Sequence, residues 1–364
     1  MIVVFRADAS HLIGTGHVMR CLTLASSLSA EGAHCRFICR EQTGNLIDFI
    51  RSKGFQVDAL PETGESVCQP DGTTHAHFLG CSQAQDAREC LATLKTTSVN
   101  WLIVDHYGLD SRWEEALFPC YEKLMVIDDL ADRPHKCHAL LDQTFGRLEQ
   151  DYLGLVPTDC ALMCGSQFSL LRPEFAAIRK RSLERRINKP RFQKLLITMG
   201  GVDKDDVTGR VLQSLKHTAL PECTEIKVVM GPHAPWLHTV RTLAEEMPWP
   251  TTVHVDVENM AELMAESDLA IGAAGATAWE RCCIGLPSIM VVLADNQRLI
   301  ASKLVQACAA RLLTIPADGD LKPLLEPTTF EPEALTQMGL NAAGITDGQG
   351  LKRVLEILIK TQTP

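Results

Sequence analysis

IVVFRADASHLIGTGHVMRCLTLASSLSAEG, residues 2–32, is the stretch that decides the fold. It opens on a short apolar run, Ile2 to Phe5, passes a turn holding Gly14 and Gly16, and continues with Val18, Cys21, Leu22, Ala25 and Leu28 at helical spacing until Gly32 stops it. That is a strand, a turn and a helix, the unit of a parallel sheet with helices on its faces. The same alternation predicts strands at Cys35 to Cys39, Gln56 to Leu60, Trp101 to Asp105 and Leu124 to Asp128, with a long irregular loop from Glu62 to about Gly80. A polar run from Arg179 to Arg191, rich in Arg and Lys and carrying Lys189-Pro190, reads as a connection between domains. Alternation then restarts, with strands at Leu195 to Thr198, Ile226 to Met230, Thr252 to Val257, Leu269 to Ile271 and Ser288 to Val292. A last helix carries Leu351, Val354, Leu355 and Leu358 on one stripe, with no packing surface assigned to it. The chain of 364 residues thus divides into two α/β domains, 1–172 and 173–364, with a cleft expected between them.

Composition narrows the class. At 46% hydrophobic and 22% charged the chain is neither a disordered nor a membrane-spanning sequence, and no apolar run is long enough to cross a bilayer. Its 35 Lys+Arg against 45 Asp+Glu give a formal charge of −10, which repels polyanions, so no nucleic-acid partner is expected. The first apolar run meets Arg6 and Asp8 too soon for a secretory signal. Fourteen cysteines at irregular spacings then fit a reduced, cytoplasmic protein.

Ligands of open parallel sheets bind beyond the carboxyl ends of the strands, so the strand-to-helix turns carry the chemistry. In the first turn, Gly14-Thr15-Gly16-His17, the glycines let a ligand approach the backbone. A dinucleotide fingerprint would need glycine where Met19 stands and an acidic residue where Arg40 closes strand two, so nicotinamide binding is disfavoured. A histidine at a helix start faces the positive end of the helix dipole, which suits a neutral imidazole acting as base, and His17 is the candidate. Asp8, ending strand one, is a candidate to orient its ring; a capping or loop carboxylate is the competing reading.

The second turn, Met199-Gly200-Gly201-Val202-Asp203, suits a nest of amides facing an anion before a helix near Asp205. The third runs from Gly272 through Gly275, Ala276 and Thr277 to Glu280 and Arg281. Its small residues leave room for a diphosphate at a helix start, Thr277 adds a hydroxyl, and Glu280 can accept two ribose hydroxyls. Asp105-His106-Tyr107 and Asp128-Asp129 close two strands of the first sheet. His135, Cys137, His138, Cys160, Cys164, Cys282 and Cys283 lack the spacing of a zinc site and read as structural residues and buried thiols.

Taken together, Arg6-Ala7-Asp8-Ala9-Ser10, Ile13 to Cys21, Val104 to Tyr107, Ile127 to Asp129, Leu170 to Phe175 and Trp279 to Cys283 resemble the UDP-sugar hydrolases of the pseudaminic acid pathway. These are related in their second domain to the UDP-N-acetylglucosamine transferase of murein synthesis. The resemblance covers about residues 2 to 300. It implies a GT-B fold, two facing Rossmann-like domains, and hydrolysis of UDP-2,4-diacetamido-2,4,6-trideoxy-β-L-altropyranose to the free sugar and UDP on the way to CMP-pseudaminic acid, a sugar used in flagellin glycosylation. It further implies that His17 is the base, that Glu280 binds ribose, and that no metal or other cofactor takes part. Asp8, Gly14, Gly16, His106, Tyr107, Arg172, Gly200, Gly201, Gly275, Ala276, Thr277, Asn296 and Gln297 complete the expected substrate site. Two positions depart from the family: Phe168 stands where Tyr is frequent, and Ala276 replaces a Ser that would donate to the diphosphate.

The chemistry agrees. Displacing a diphosphate from an anomeric carbon needs a base for the attacking water and positive dipoles for the leaving group, and UDP leaves well enough that one base suffices. The alternatives are a GT-B glycosyltransferase, marked by an apolar and basic membrane patch of which this acidic chain shows no strong example, and a non-catalytic sugar-nucleotide-binding module, which would not need His17. Oligomeric state is left open.

Overall fold

The computed structural model describes residues 1–63, 75–95, 98–188, 191–218, 220–313 and 331–360. They form two compact units, residues 1–170 with 351–364, and residues 171–350.

The first unit runs β1 (Ile2–Ala7), α1 (Gly16–Ala30), β2 (His34–Arg40), α2 (Ile47–Ser52), β3 (Gln56–Leu60), α3 (Gln83–Leu94), β4 (Val99–Asp105), α4 (Ser111–Leu117), β5 (Tyr121–Ile127), β6 (Ala139–Asp142) and β7 (Ala161–Cys164). Its seven strands are parallel in the order β3-β2-β1-β4-β5-β6-β7. Successive strand residues point to opposite faces. Val3, Phe5 and Ala7 of β1 and Trp101 and Ile103 of β4 therefore pack with Val18, Cys21, Ala25 and Leu28 of α1. Val4, Leu102 and Val104 pack on the other face with Ala87 and Cys90 of α3 and Trp113 and Leu117 of α4.

The second unit holds α5 (Pro173–Asn188), β8 (Lys194–Thr198), α6 (Val207–Leu215), β9 (Glu225–Met230), α7 (Leu237–Glu245), β10 (Thr251–Val255), α8 (Met260–Glu266), β11 (Leu269–Ala273), α9 (Thr277–Cys283), β12 (Ser288–Val291), α10 (Gln297–Gln306), β13 (Arg311–Leu313) and α11 (Pro332–Ala343). Its six parallel strands run β10-β9-β8-β11-β12-β13. Both sheets thus start from the same order, with the chain reversing direction across the sheet between β1 and β4 and between β8 and β11. At such a switch point two strand ends diverge and leave a crevice for a ligand.

Every strand expected from the sequence is present, with ends within about three residues. Two expectations are corrected. The polar run from Arg179 is, as far as Asn188, no connection: it continues α5, and its basic side chains serve backbone carbonyls at helix C-termini, while Lys189-Pro190 lie outside the described residues. Arg186 donates to Ser267 O at 2.6 Å and Met264 O at 3.0 Å after α8, and Arg179 donates to Ala343 O at 2.7 Å after α11 and to Cys283 O after α9. The last helix, α12 (Gly350–Lys360), falls outside the second domain to which the 173–364 division gave it. Leu351, Val354 and Leu358 are buried in the core that β1, β4 and α1 share, and Trp101 Nε1 donates to Leu358 O at 3.3 Å. Of the loop expected from Glu62 to Gly80, residues 64–74 lie outside the described residues, and Ala76–Phe78 form a 3₁₀ turn.

Candidate functional site

In the first unit the switch point brings the end of β1 beside the end of β4, so the turn before α1 meets Asp105-His106-Tyr107. The loop from Ser10 to Gly14 closes on itself: Gly14 N donates to Ser10 O at 2.9 Å, and Ser10 Oγ accepts from the amides of Leu12 and Ile13. Gly14 takes a φ of +80°, which a side chain would strain, and both Gly14 and Gly16 face open space. This turn delivers His17 in the first turn of α1, buried to 5% exposure.

The ring is gripped. His17 Nδ1 lies 2.5 Å from Asp105 Oδ1, and Tyr107 packs edge-on against the imidazole with centroids 4.4 Å apart. Arg20, one helical turn on, donates through Nε to Asp105 Oδ2 at 2.6 Å and through Nη2 to Asp105 Oδ1 at 2.7 Å. Its Nη1 reaches both oxygens of Asp129 at 2.9 and 2.8 Å, and the Tyr107 hydroxyl donates to Asp129 at 3.2 Å. Burial acts to raise the Asp105 carboxyl, but the Arg20 guanidinium and His17 outweigh it and hold Asp105 well below the usual carboxylate range. An ionised Asp105 only accepts, so in the neutral ring Nδ1 carries the proton and Nε2 keeps its lone pair. Among the described residues Nε2 has no hydrogen-bond partner. An imidazole fixed at Nδ1 by a carboxylate and open at Nε2 is arranged to take a proton.

Asp8 does not orient this ring. Arg6 and Asp8 follow the parity of Val4 and point to the face opposite α1, where Asp8 pairs with Arg6 at 2.5 Å and accepts the Arg40 amide at 2.7 Å. His106 has the same parity and the same fate. Its Nδ1 accepts from Gly108 N at 2.9 Å, which leaves the proton on Nε2, 3.4 Å from Asp8 Oδ2. Both side chains are buried in a polar network with Asp86, Arg40 and Trp113. Burial lowers His106, against the adjacent Asp8 carboxylate, which raises it.

In the second unit the crevice between β8 and β11 is flanked by the two small-residue turns. The first differs from expectation: the amides that open α6 are already taken, Val207 and Thr208 by the Asp203 carboxylate at 2.9 Å each and Gly209 by Asp206 at 3.2 Å. The helix end is self-capped, and only the turn at Gly200 and Gly201 remains for a ligand. The second turn has no side-chain cap at Ala276. Behind it Arg281 is buried, with no carboxylate bonded to it among the described residues; Nη2 donates to Ala273 O at 2.7 Å and Nη1 to Thr277 Oγ1 at 3.2 Å. Thr277 thus accepts from the inside and keeps its own proton to donate outward. A Cβ on Gly272 would stand 2.8 Å from both Arg281 Nη1 and Thr198 O, so glycine makes room for the guanidinium. Gln297 lies beside Gly275, its Oε1 accepting Leu293 N at 3.0 Å, while Asn296 precedes α10. Glu280 lies 3.4 Å from Arg172, which also pairs with Glu174 at 3.1 Å; burial raises the Glu280 carboxyl and Arg172 opposes the rise.

The sequence reading missed the roles of Asp105, Arg20, Asp129 and Arg281. The signal for Arg20 was its i, i+3 spacing from His17. Among the described residues no three His, Cys, Asp or Glu side chains converge as metal ligands, and Cys137 and Cys160 are free thiols 3.6 Å apart. No helix of the described residues is long and apolar enough to cross a membrane.

Comparison with known proteins adds four likenesses. The glycosyltransferase family 28 C-terminal domain matches residues 194–341, inside the second unit. The chain is 27% identical over 307 residues to the UDP-2,4-diacetamido-2,4,6-trideoxy-β-L-altropyranose hydrolase of Campylobacter jejuni, covering 84% of this chain and 97% of that one. It is 26% identical over 360 residues to the spore coat polysaccharide biosynthesis protein SpsG of Bacillus subtilis, covering 97% and 96%. Among solved structures, MurG of Acinetobacter baumannii superposes with a TM-score of 0.68 over 99% of both chains at 16% identity. The fold is that of GT-B proteins, residues 194–341 match the glycosyltransferase family 28 C-terminal domain, and in its sequence the chain resembles the UDP-2,4-diacetamido-2,4,6-trideoxy-β-L-altropyranose hydrolase.

Proposed function

We propose that the protein processes a UDP-sugar, and that it hydrolyses the bond between sugar and diphosphate, with UDP-2,4-diacetamido-2,4,6-trideoxy-β-L-altropyranose as the substrate. The observation that carries this reading is the His17–Asp105 pair at 2.5 Å, with Nε2 open beside a glycine turn. His17 Nε2 removes a proton from water as its oxygen attacks the anomeric carbon from the face opposite the nucleotide. The bond from that carbon to the diphosphate oxygen breaks, and UDP departs with the electron pair. Asp105 stays ionised and balances the imidazolium that forms. The second unit holds the nucleotide: Glu280 accepts the ribose hydroxyls, and the Gly275–Thr277 turn, with Gln297 beside it and Arg281 behind it, faces the diphosphate. Ala276 supplies only backbone there. Asp8 and His106 take no direct part in holding the substrate, since both bond within the core.

A base reading also serves a transferase, in which a sugar hydroxyl replaces water. UDP release measured with and without added acceptor separates the two, and release without acceptor is expected. His17→Ala should lower kcat by about a hundredfold to ten-thousandfold and leave UDP binding near normal. A His17→Ala enzyme that keeps most of its turnover would place the base elsewhere.

A further inference from the structure

The cage around His17 contains one carboxylate more than the ring itself uses. Arg20 Nη2 lies 3.4 Å from His17 Nδ1, so a guanidinium faces the ring when it takes up a proton. Like charges so close oppose the imidazolium that a base must become. Asp105 offsets one positive charge and is already shared between His17 and Arg20. Asp129 offsets the second, bonding Arg20 Nη1 through both oxygens at 2.9 and 2.8 Å, while no hydrogen bond joins it to the imidazole. With Asp105 and Asp129 ionised and Arg20 charged, the cage carries a net −1 around a neutral His17, and the proton gained in the reaction brings it to zero.

We propose that Asp129 is a positioning residue for the His17 base: it occupies and neutralises the outer face of Arg20, leaving Asp105 to the imidazole and sustaining the basicity of Nε2. The inference rests on the reading of His17 as the base. The groups facing His17 are Asp105 and Tyr107 from the β4 end, Arg20 on its own helix, and Asp129 after β5 through Arg20; Cys21 donates to Asp105, and His106, on the other face of the sheet, acts on His17 only through charge. Asp129 in turn meets the Tyr107 hydroxyl, its charge acts on Asp142, and its carbonyl accepts from Arg147 at 2.9 Å. The Asp129 side chain is 18% exposed, and its hydrogen bonds go to Arg20 and the Tyr107 hydroxyl.

The test is the pH profile of UDP release from UDP-2,4-diacetamido-2,4,6-trideoxy-β-L-altropyranose by the full chain. Asp129→Asn should move the acidic limb of kcat down by about one pH unit and lower the plateau about tenfold, since a weaker base transfers its proton load less well. UDP affinity by calorimetry should not change. Asp129→Glu should restore both limb and plateau, and Asp129→Ser, which removes the charge with a smaller side chain, should repeat the shift. A loss caused by disturbed structure alone would lower the plateau without moving the limb. Activity abolished in His17→Ala with the limb unmoved, or moved upward, in both neutral Asp129 variants would overturn this proposal alone. Activity surviving His17→Ala would overturn the base reading and this proposal with it.

Discussion

Leu358→Ala should destabilise the first unit, although Leu358 lies at the far end of the chain. Its side chain is fully buried with Val354, in one core with Val3, Phe5 and Trp101, and the backbone bond from Trp101 Nε1 would survive the substitution. A buried Leu→Ala change costs about 2–5 kcal/mol through lost burial and the cavity it leaves. In a unit of this size each kcal/mol lowers the melting temperature by about 2–4 °C, so a mid-range loss of ~3 kcal/mol amounts to roughly 6–12 °C. Scanning calorimetry with and without UDP identifies the affected unit. A ligand at about a hundred times its Kd stabilises its host by about 2.7 kcal/mol, so UDP marks the transition of the unit that binds it, on the proposed reading the second. Leu358→Ala should lower the transition that UDP leaves in place. A shift confined to the UDP-responsive transition, or no shift at all, would refute the assignment of α12.

Two further outcomes are expected. Glu280→Ala should weaken UDP binding by about tenfold or more in calorimetry, because ribose would lose a charged acceptor, and undiminished affinity would exclude Glu280 from the nucleotide site. Asp142 should titrate at about 6 in a carboxyl-carbon NMR titration, raised first by burial and then by the charge of Asp129, against Arg147 and Thr144. The Tyr152 hydroxyl fits this, since its oxygen lies 2.8 Å from Asp128 Oδ2 and 2.9 Å from Asp142 Oδ2 with a single proton to donate, and satisfying both requires a proton on one carboxyl. A folded value above the unfolded one means that Asp142 contributes stability fully below about pH 4. That contribution, on the order of 2–3 kcal/mol, is lost as pH rises through about 6. Asp129→Asn should lower the midpoint, and a midpoint indifferent to that change would count against the coupling.

The long strands were legible because an apolar, largely β-branched run between turns leaves few other readings, as at Ile2–Phe5 of β1. Ala139–Asp142, Ala161–Cys164 and Arg311–Leu313 are too short to show a period, and they form because a neighbouring strand already presents an edge. His17 was legible from its turn. Its partner was not: Asp8 is closer in sequence, but a parallel sheet sets β4 beside β1, and parity sends Asp105 to the α1 face and Asp8 away from it. Counting in twos from Phe5 and from Ile103 reaches Asp105 but skips Asp8, so the alternation of the strands itself separates the two carboxylates. Arg179 and Arg186 misled because charge is ordinarily a surface signal, whereas here guanidinium groups take up carbonyls at helix ends.

The place of α12 has a consequence for how the molecule is made. A chain emerging from the ribosome usually completes its domains in order, the first closing while the next is still being synthesised. Here the core around Trp101 needs Val354 and Leu358, which follow the whole of residues 171–350. At usual translation rates the nascent first sheet waits roughly ten to forty seconds with that apolar face uncovered. During that interval it is a natural client for a chaperone, and a message truncated before residue 351 would yield a protein whose second half is finished while its first half is still open.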